Sequence, residues 1–295
     1  MIMKCRQPIL IKTDKERNFV PCGRCFACKN NKKKEWQFRL WQELLDAETA
    51  YFITLTYDDE NLPTVIDKNT GEILETLKKC DIQNFIKRLR ITQERQLKKD
   101  KNFRTLTQVR EECEKLRYFA VGEYGSETFR PHYHAIIFNM TTKSLDKLET
   151  IWKKGSVHIG ECNVQTIAYT LKYLLKAGVP LEKLQDKFAL MSKSPALGYR
   201  YIQLNKNTSS TMQSTIVRNQ QGNQQQLPRI YRQKLFSKGE QKALGKKVYD
   251  EQTIAEAKEF DRIMKVTDNP GKYELTQEQQ TLERFTKNII KNEKI

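Results

Sequence analysis

A chain of 295 residues with a formal net charge of +17 at pH 7 can bury one sizeable core, and its charge favours a polyanionic partner. We expect nucleic acid rather than a membrane surface, because a protein that neutralises phosphates releases their counterions. The 7 cysteines, an odd number, argue against a complete disulfide framework. Since no signal peptide opens the chain and no stretch of about 18 apolar residues occurs, we expect neither secretion nor membrane insertion.

The first predicted segment, residues 1–50, combines cysteines with a basic helix. Cys22, Cys25 and Cys28 have the spacing of thiolate ligands, and Cys5 is the candidate for the fourth ligand of a tetrahedral structural zinc ion. An iron–sulfur cluster fits less well, because the further cysteine and proline of the ferredoxin pattern do not follow. Reduced cysteines in a basic loop remain the alternative. Apolar spacing after the cysteines predicts a helix over residues 29–50.

The central segment, residues 51–237, predicts an α+β fold. Apolar patterns indicate strands over 51–57, 117–123, 132–138 and 156–164, and helices after Asp81 and around Trp152. Asp81 is expected to cap its helix, and the charged residues 92–116 to form a helix or a loop. Strands with interspersed helices and hairpin links favour a central antiparallel β-sheet flanked by helices. A basic helical tail, rich in Lys and Glu, is predicted over 238–295.

The strand over 132–138 carries the clearest candidate site. Two of the 3 histidines, His132 and His134, lie one residue apart, so both side chains project from the same face of a strand. Two imidazoles so placed can hold one cation, while Tyr133 faces a core on the other side. The bland alternative is a pair of exposed strand histidines. The third histidine, His158, lies in an alternating apolar stretch and is expected to be structural.

A second candidate group lies on a helix predicted over residues 167–176. At about 100° per residue, its apolar side chains form one face, and Tyr169, Lys172, Tyr173 and Lys176 share the opposite, exposed face. A tyrosine hydroxyl, with a pKa near 10, is a weak nucleophile unless a cation polarises the phosphate that it attacks. The two groups together predict phosphoryl transfer to tyrosine, with the lysines either contacting phosphate or simply solvated.

The order of these motifs resembles that of a known family. His132-Tyr133-His134 matches the histidine–hydrophobe–histidine motif of the HUH endonucleases, and Tyr169 with Tyr173 matches their two-tyrosine subclass. More closely, residues 5–235 resemble the replication initiator proteins of small single-stranded DNA phages, the microviruses of gokushovirus type. The motifs that carry this resemblance are Cys22-Gly23-Arg24-Cys25, Phe52-Ile53-Thr54-Leu55-Thr56-Tyr57-Asp58-Asp59, Gly122-Glu123-Tyr124-Gly125, Arg130-Pro131-His132-Tyr133-His134, Ala168-Tyr169-x-x-Lys172-Tyr173 and Leu190-Met191-Ser192.

The resemblance implies a fold, a reaction and partners. It implies an RRM-like palm on which Glu123 is the third metal ligand beside the histidines, and an oxygen with two imidazoles suits Mg²⁺ or Mn²⁺. It also implies nicking of the double-stranded replicative form at the origin, with a 5′-phosphotyrosine on the protein and a free 3′-hydroxyl for the host polymerase. The second tyrosine would cut the newly made single-stranded origin DNA and allow closure. The place of action would be the cytoplasm of the bacterial host.

Two further expectations follow from the residues. Because the chain shows no Gly-rich Walker loop, strand separation is expected to need a host helicase. The ion at His132 and His134 is expected to face Tyr169 and Tyr173 across a gap wide enough for a DNA backbone.

Three alternative functions remain at this stage. A plasmid or transposon enzyme of the same superfamily would share the chemistry and differ in substrate. A non-enzymatic, zinc-containing single-stranded DNA-binding protein would explain the charge and the aromatic residues but needs neither the histidine pair nor the tyrosine pair. A zinc-ribbon structural or regulatory protein would need the cysteines alone.

Overall fold

The computed structural model describes residues 5, 7–12, 17–125, 128–174, 184–206, 215–273, 276, 279, 280 and 283. The strands are β1 (Ile9–Lys12), β2 (Arg17–Val20), β3 (Ala50–Thr56), β4 (Thr64–Ile66), β5 (Ile73–Glu75), β6 (Arg117–Tyr124), β7 (Pro131–Phe138), β8 (Val157–Glu161), β9 (Phe188–Met191), β10 (Ile216–Arg218) and β11 (Gln224–Gln226). The helices are α1 (Phe26–Asp46), α2 (Lys79–Asp100), α3 (Leu106–Glu112), α4 (Thr142–Leu145), α5 (Leu148–Trp152), α6 (Val164–Thr170), α7 (Tyr199–Asn205), α8 (Arg229–Leu235) and α9 (Lys238–Met264), with a 3₁₀ helix over Leu171–Leu174.

The centre of the fold is a five-stranded antiparallel sheet in the order β8-β3-β7-β6-β9. This arrangement confirms the predicted α+β class with an antiparallel sheet flanked by helices. The middle strand, β7, is the one that carries the two histidines, so both of its edges are paired within the protein. A strand in this position is held by hydrogen bonds on each side, which gives its side chains fixed positions.

Both faces of the sheet are covered by helices. On one face, Tyr133, Ala135 and Ile137 of β7 pack with apolar side chains of α2 and α5, as the alternation of the strand predicted. On the other face, Ile136 and Phe138 pack with Leu40 of α1 and with residues of α6 and the 3₁₀ helix. The histidines point to this second face. They therefore lie where the apolar part of the β7 pattern ends and the helical cover of α1 and α6 begins.

Two local expectations were wrong, and a third was open. Helix α1 ends at Asp46, and Ala50 already belongs to β3. Asp81 lies in the first turn of α2, whose N-cap is Lys78; its buried carboxylate accepts a hydrogen bond from the Tyr57 hydroxyl at 2.9 Å. The charged stretch 92–116, for which either a helix or a loop was expected, contains the end of α2 and all of α3.

The helix predicted over residues 167–176 changes its geometry part of the way along. Helix α6 begins at an Asn163 cap, whose side chain accepts from the backbone N–H of Thr166, and ends at Thr170. The next four residues, Leu171–Leu174, form a tighter 3₁₀ helix. The assumption of 100° per residue is therefore wrong beyond Thr170. Residues 175–183 lie outside the described residues.

The chain divides into two compact units, one of Met1–Asn205 with Arg218–Pro228 and one of Lys206–Val217 with Arg229–Ile295. The central sheet and both candidate metal-binding groups lie in the first unit. In the second unit, Ser237 caps α9 by accepting from the N–H of Glu240, and the Glu240 side chain accepts from the N–H of Ser237. Within the predicted tail, Lys238–Met264 is helical. No helix in the described part of the chain has the length and apolarity to cross a membrane.

Candidate active site

Strand register brings Glu123, His132 and His134 together. Glu123 of β6 lies directly opposite His132 of β7, and His134 lies one pleat further along, opposite Val121. Residues opposite each other in an antiparallel pair project to the same side of the sheet. The three side chains consequently converge on one face, in a group that we call the Glu-His-His triad.

The triad is a tight group. Glu123 Oε1 lies 2.7 Å from Nε2 of His132 and 2.9 Å from Nε2 of His134. The two imidazole rings stand almost perpendicular, with 4.9 Å between their centroids. Glu123 is only 1% exposed and His134 only 5% exposed, while the side chain of His132 keeps 19% of its exposure. Access from solvent is therefore greatest at His132.

Hydrogen bonds on the far side of each ring determine how the imidazoles are oriented. His132 Nδ1 lies 3.2 Å from the carbonyl oxygen of Arg130, which can only accept, so Nδ1 carries the proton in the neutral ring. Its Nε2 lone pair then points at the Glu123 carboxylate, an arrangement that requires a proton or a cation between them. His134 Nδ1 lies 2.9 Å from Oγ1 of Thr54, its neighbour on β3. Such support for the second ring nitrogen is usual for metal-binding histidines.

The protonation preferences of the triad follow from burial and from its mutual contacts. Burial alone would raise the pKa of Glu123, but hydrogen bonds and charge from His132 and His134 outweigh it and lower that pKa. Burial lowers the pKa of His134, although the Glu123 carboxylate opposes this shift. The neutral form of His134, which is the form that can bind a metal, is therefore favoured.

The donor atoms of the triad fit a small divalent cation. The donors that the three residues can offer all lie within 4.8 Å of one another. In an octahedral shell with a radius of about 2.1 Å, neighbouring donors are about 3 Å apart, close to the two Glu123–His separations. The second carboxylate oxygen, Oε2, is buried and accepts no hydrogen bond from the described residues. An unsatisfied buried oxygen beside two imidazoles is well suited to a cation.

Tyr169 lies against this triad. Its ring meets the His134 ring edge-on, at 5.4 Å between centroids, and meets Phe52 of β3 at 6.1 Å. Phe52 in turn stacks on His134 at 5.3 Å. Because these rings touch, the expected gap for a DNA backbone is absent between Tyr169 and His134. Sequence analysis missed Phe52 as a neighbour of the site, since its position depends on the pairing of β3 with β7.

Lys172 does not lie on an exposed face as predicted, because it is buried at 6% exposure. The change from α-helix to 3₁₀ helix after Thr170 alters the direction of its side chain. Its Nζ lies 4.9 Å from the centre of the Tyr169 ring, in cation–π geometry. Burial, and secondarily the charge of Lys172, lowers the pKa of Lys33 on α1, so α1 brings a second cation to this region that sequence analysis missed.

The other predicted site residues are only partly described. Tyr173 lies on the 3₁₀ helix, but its side chain is outside the described residues, as is the whole of Lys176. His158 is exposed on β8 and pairs with Thr54, which separates it from His134 in the sheet. His158 is not one of the groups that could hold a metal among the described residues.

The four cysteines of the predicted zinc site also come together. The sulfurs of Cys5, Cys22, Cys25 and Cys28 all lie within 4.8 Å of one another. Hydrogen bonds from the backbone N–H groups of Cys25 and Arg24 lower the pKa of Cys22 to about 6, whereas burial raises the pKa of Cys28 to about 12. The group joins a residue near the N-terminus to the loop before α1 and to the first turn of α1.

Comparison with known proteins places the central part of the chain in a class. Residues 50–178 match the family model of replication-associated proteins of the ORF2 type. This region begins with β3 and includes β6, β7, β8, α6 and the 3₁₀ helix, and therefore both the triad and Tyr169. Cys5, Cys22, Cys25, Cys28 and α1 lie before it.

Individual relatives narrow the class further. The chain is 28% identical over 229 residues to replication-associated protein VP4 of Bdellovibrio phage phiMH2K, covering 72% of this chain and 65% of that protein. It is 25% identical over 231 residues to replication-associated protein ORF2 of Spiroplasma virus 4, covering 69% and 63%. It is 25% identical over 207 residues to replication-associated protein ORF4 of Chlamydia phage 1, covering 62% and 45%.

These relatives are proteins of microviruses, so the resemblance to microvirus replication proteins that the motifs indicated is confirmed. The matched regions span less than two thirds of each relative's own length. No solved structure matches the chain.

Proposed function

We propose that this protein is a DNA-nicking and rejoining endonuclease that starts and ends rolling-circle replication of a phage genome. The observation that carries the proposal is the Glu123 carboxylate held between His132 and His134, with the Tyr169 ring in contact with His134. The family match and the microvirus relatives support a role in replication. The substrate would be the origin in the replicative form and in single-stranded DNA, for which the charge of +17 is suited.

The triad would hold the catalytic ion. Mg²⁺ or Mn²⁺ held by Glu123, His132 and His134 would polarise the scissile phosphate and stabilise negative charge on its oxygens. Thr54 orients the His134 ring through Nδ1, and the Arg130 carbonyl does the same for His132. The scissile phosphate would approach from the His132 side, where the triad is most exposed.

Tyr169 would be the nucleophile. Its phenol oxygen forms a bond to phosphorus while the bond from phosphorus to the 3′ oxygen breaks, which leaves a 5′-phosphotyrosine and a 3′-hydroxyl. The phenol gives up its proton and the departing 3′ oxygen gains one, so the step is balanced. The buried Lys172 ammonium beside the ring would favour the phenolate, whose usual pKa near 10 makes it scarce at neutral pH.

The second tyrosine and the partners complete the cycle. Tyr173 would cut the regenerated origin after one round, and the 3′-hydroxyl released by that cut would attack the first phosphotyrosine and close the circle. Lys176 would contact phosphate. The free 3′-hydroxyl of the first cut would prime a host polymerase, with strand separation by a host helicase.

The test is capture of the covalent adduct from an unbiased DNA pool. The full chain would be incubated with a random-sequence single-stranded library in Mn²⁺, the protein denatured, and any covalently attached DNA recovered and sequenced. We expect adducts that share a sequence, that fail to form with EDTA, and that disappear in the Tyr169→Phe/Tyr173→Phe double variant. An adduct that survives in the double variant would reject tyrosine as the nucleophile.

The same experiment separates the main alternative. A non-enzymatic single-stranded DNA-binding protein would shift labelled DNA on a native gel without cutting it, with or without metal. The exposed Tyr249→Phe variant serves as the control for the substitution itself, since Tyr249 lies in the second unit and its side chain is 68% exposed. It should form the adduct at the unaltered rate.

A further inference from the structure

The cysteine group at the start of α1 has the geometry of a metal site rather than of disulfides. Cys22 Sγ lies 4.0 Å from Cys28 Sγ, and Cys25 Sγ lies 3.9 Å from Cys5 Sγ. A disulfide would bring two sulfurs to about 2.05 Å, and all four of these cysteines are free. In a tetrahedron with metal–sulfur bonds of about 2.3 Å, the sulfurs are about 3.8 Å apart, which agrees with both distances.

The backbone around the sulfurs is arranged for thiolates. The backbone N–H of Cys22 donates to Sγ of Cys5 at 3.2 Å, and those of Arg24 and Cys25 donate to Sγ of Cys22 at 3.4 and 3.3 Å. Gly23 has a φ of +73°, a left-handed conformation that lets the loop turn around Cys22. Hydrogen bonds from N–H groups stabilise a charged acceptor, so they favour sulfur in the form that binds a metal.

We propose that Cys5, Cys22, Cys25 and Cys28 bind one structural zinc ion. Four thiolates at tetrahedral spacing, with no position left for water, are typical of a structural zinc site. Iron is the competing ion for such a set, and the experiment below distinguishes it. This proposal concerns a different metal and a different set of residues from the Glu-His-His triad.

The zinc site would fix the start of a helix that supports the tyrosine. Cys28 lies in the first turn of α1, and Leu40 of the same helix packs with Ile167 of α6 and Leu171 of the 3₁₀ helix. A metal that ties the first turn of α1 to Cys5 and Cys22 therefore anchors one wall of the region around Tyr169. This consequence rests on the proposed nicking function, whereas the zinc site itself does not.

The first measurement is the metal content of the full chain, by plasma mass spectrometry after expression with added zinc and dialysis. We expect one zinc per chain in the natural sequence and in Cys80→Ser, whose cysteine is exposed and outside the group. We expect at least tenfold less zinc in Cys25→Ser. The variant Glu123→Gln should keep its zinc, which separates this site from the triad.

A second measurement needs no variant that has to fold. The natural chain loaded with Co²⁺ in place of zinc should show the d–d absorption bands of tetrahedral cobalt together with thiolate-to-cobalt charge transfer. A mercurial reagent that modifies thiols should release one zinc per chain to a coloured indicator. Absence of bound zinc, iron in its place, or full zinc retention in Cys25→Ser would each overturn the proposal.

The readouts also keep the two proposals apart. Formation of the DNA adduct in Mn²⁺ reports on the triad and the tyrosine, while zinc content and the cobalt spectrum report on the cysteines. A chain that holds zinc but forms no adduct refutes the proposed nicking function alone. A chain that forms the adduct but holds no zinc refutes the zinc site alone.

Discussion

The Glu123 carboxylate is the residue on which the proposed metal binding depends most. It is almost fully buried, contacts both imidazoles through one oxygen, and leaves the other oxygen without a hydrogen bond from the described residues. In Glu123→Gln the amide keeps the size of the side chain but removes the charge. Since loss of outer-shell partners alone costs about 10- to 100-fold in metal affinity, we expect a fall of about 100-fold or more in Mn²⁺ affinity.

Electron paramagnetic resonance of free Mn²⁺ during a titration measures this change. The matched control is Glu161→Gln, which alters an exposed carboxylate at the end of β8 in the same sheet. The control should bind Mn²⁺ as the natural chain does. Equal affinity in Glu123→Gln and in the natural chain would show that the triad is not the metal site.

Thr54 gives a second test at the scale of one atom. Its hydroxyl lies 2.9 Å from Nδ1 of His134, so Thr54→Val removes the polar partner and keeps the shape. We expect about a tenfold loss in Mn²⁺ affinity, because the ring loses the contact that orients it. Thr56→Val is the control on the same strand, since the Thr56 hydroxyl is paired with Ser156. A larger effect at Thr56 than at Thr54 would contradict the assignment.

Some site residues could be predicted from the sequence and others could not. His132 and His134 are two residues apart, so strand alternation alone places them on one face, and resemblance added Glu123. Thr54 and Phe52 touch His134 only because β3 pairs with β7 in one particular register, which no local pattern encodes. Contacts between distant segments were thus beyond a pattern-based interpretation.

At the scale of elements, β7 separates stability from chemistry. Tyr133 points away from the histidines, and its hydroxyl contacts that of Tyr57 at 2.6 Å, donates to the Lys78 carbonyl at 2.9 Å and accepts from the Lys78 N–H at 3.1 Å. In Tyr133→Phe these buried groups lose their partner. We expect the free energy of unfolding to fall by about 1–3 kcal/mol, with Mn²⁺ affinity unchanged.

Urea denaturation in EDTA measures this destabilisation as a lower midpoint at an unaltered slope. Tyr249→Phe removes a hydroxyl from an exposed side chain and should change the free energy by no more than about 0.5 kcal/mol. Loss of Mn²⁺ binding in folded Tyr133→Phe would show that the two faces of the strand are not independent.

Element types were predicted better than element geometry. The apolar patterns correctly predicted β3, β6 and β7 as strands, since their alternation follows from burial. The helix over 167–176 was wrong beyond Thr170, and with it the exposure of Lys172, because a switch to 3₁₀ geometry leaves no signature in apolar spacing. Asp81 suited a helix cap, but a buried contact with Tyr57 determined its position instead.

At the scale of the whole molecule, the charge of +17 predicts that DNA binding depends steeply on salt. For single strands the slope of log affinity against log salt is about −0.7 per neutralised phosphate, so about five contacts would give a slope near −3.5. Fluorescence anisotropy with a labelled single strand measures it. The Tyr169→Phe/Tyr173→Phe double variant isolates binding from cleavage. A slope near zero would exclude phosphate contacts as the main source of affinity.

The position of basic residues on the fold allows the same assay to locate the DNA. Helix α1 covers the sheet face that carries the histidines, whereas α2 covers the opposite face. If single-stranded DNA runs along the histidine face, replacing Lys33 and Lys34 of α1 by alanine removes two phosphate contacts and makes the slope less negative by about 1.4. Replacing Lys98 and Lys99 in the last turn of α2 removes the same charge and should leave the slope unchanged. The opposite result, with the α2 pair altering the slope and the α1 pair not, would place the DNA on the face away from the Glu-His-His triad and so contradict the proposed nicking site.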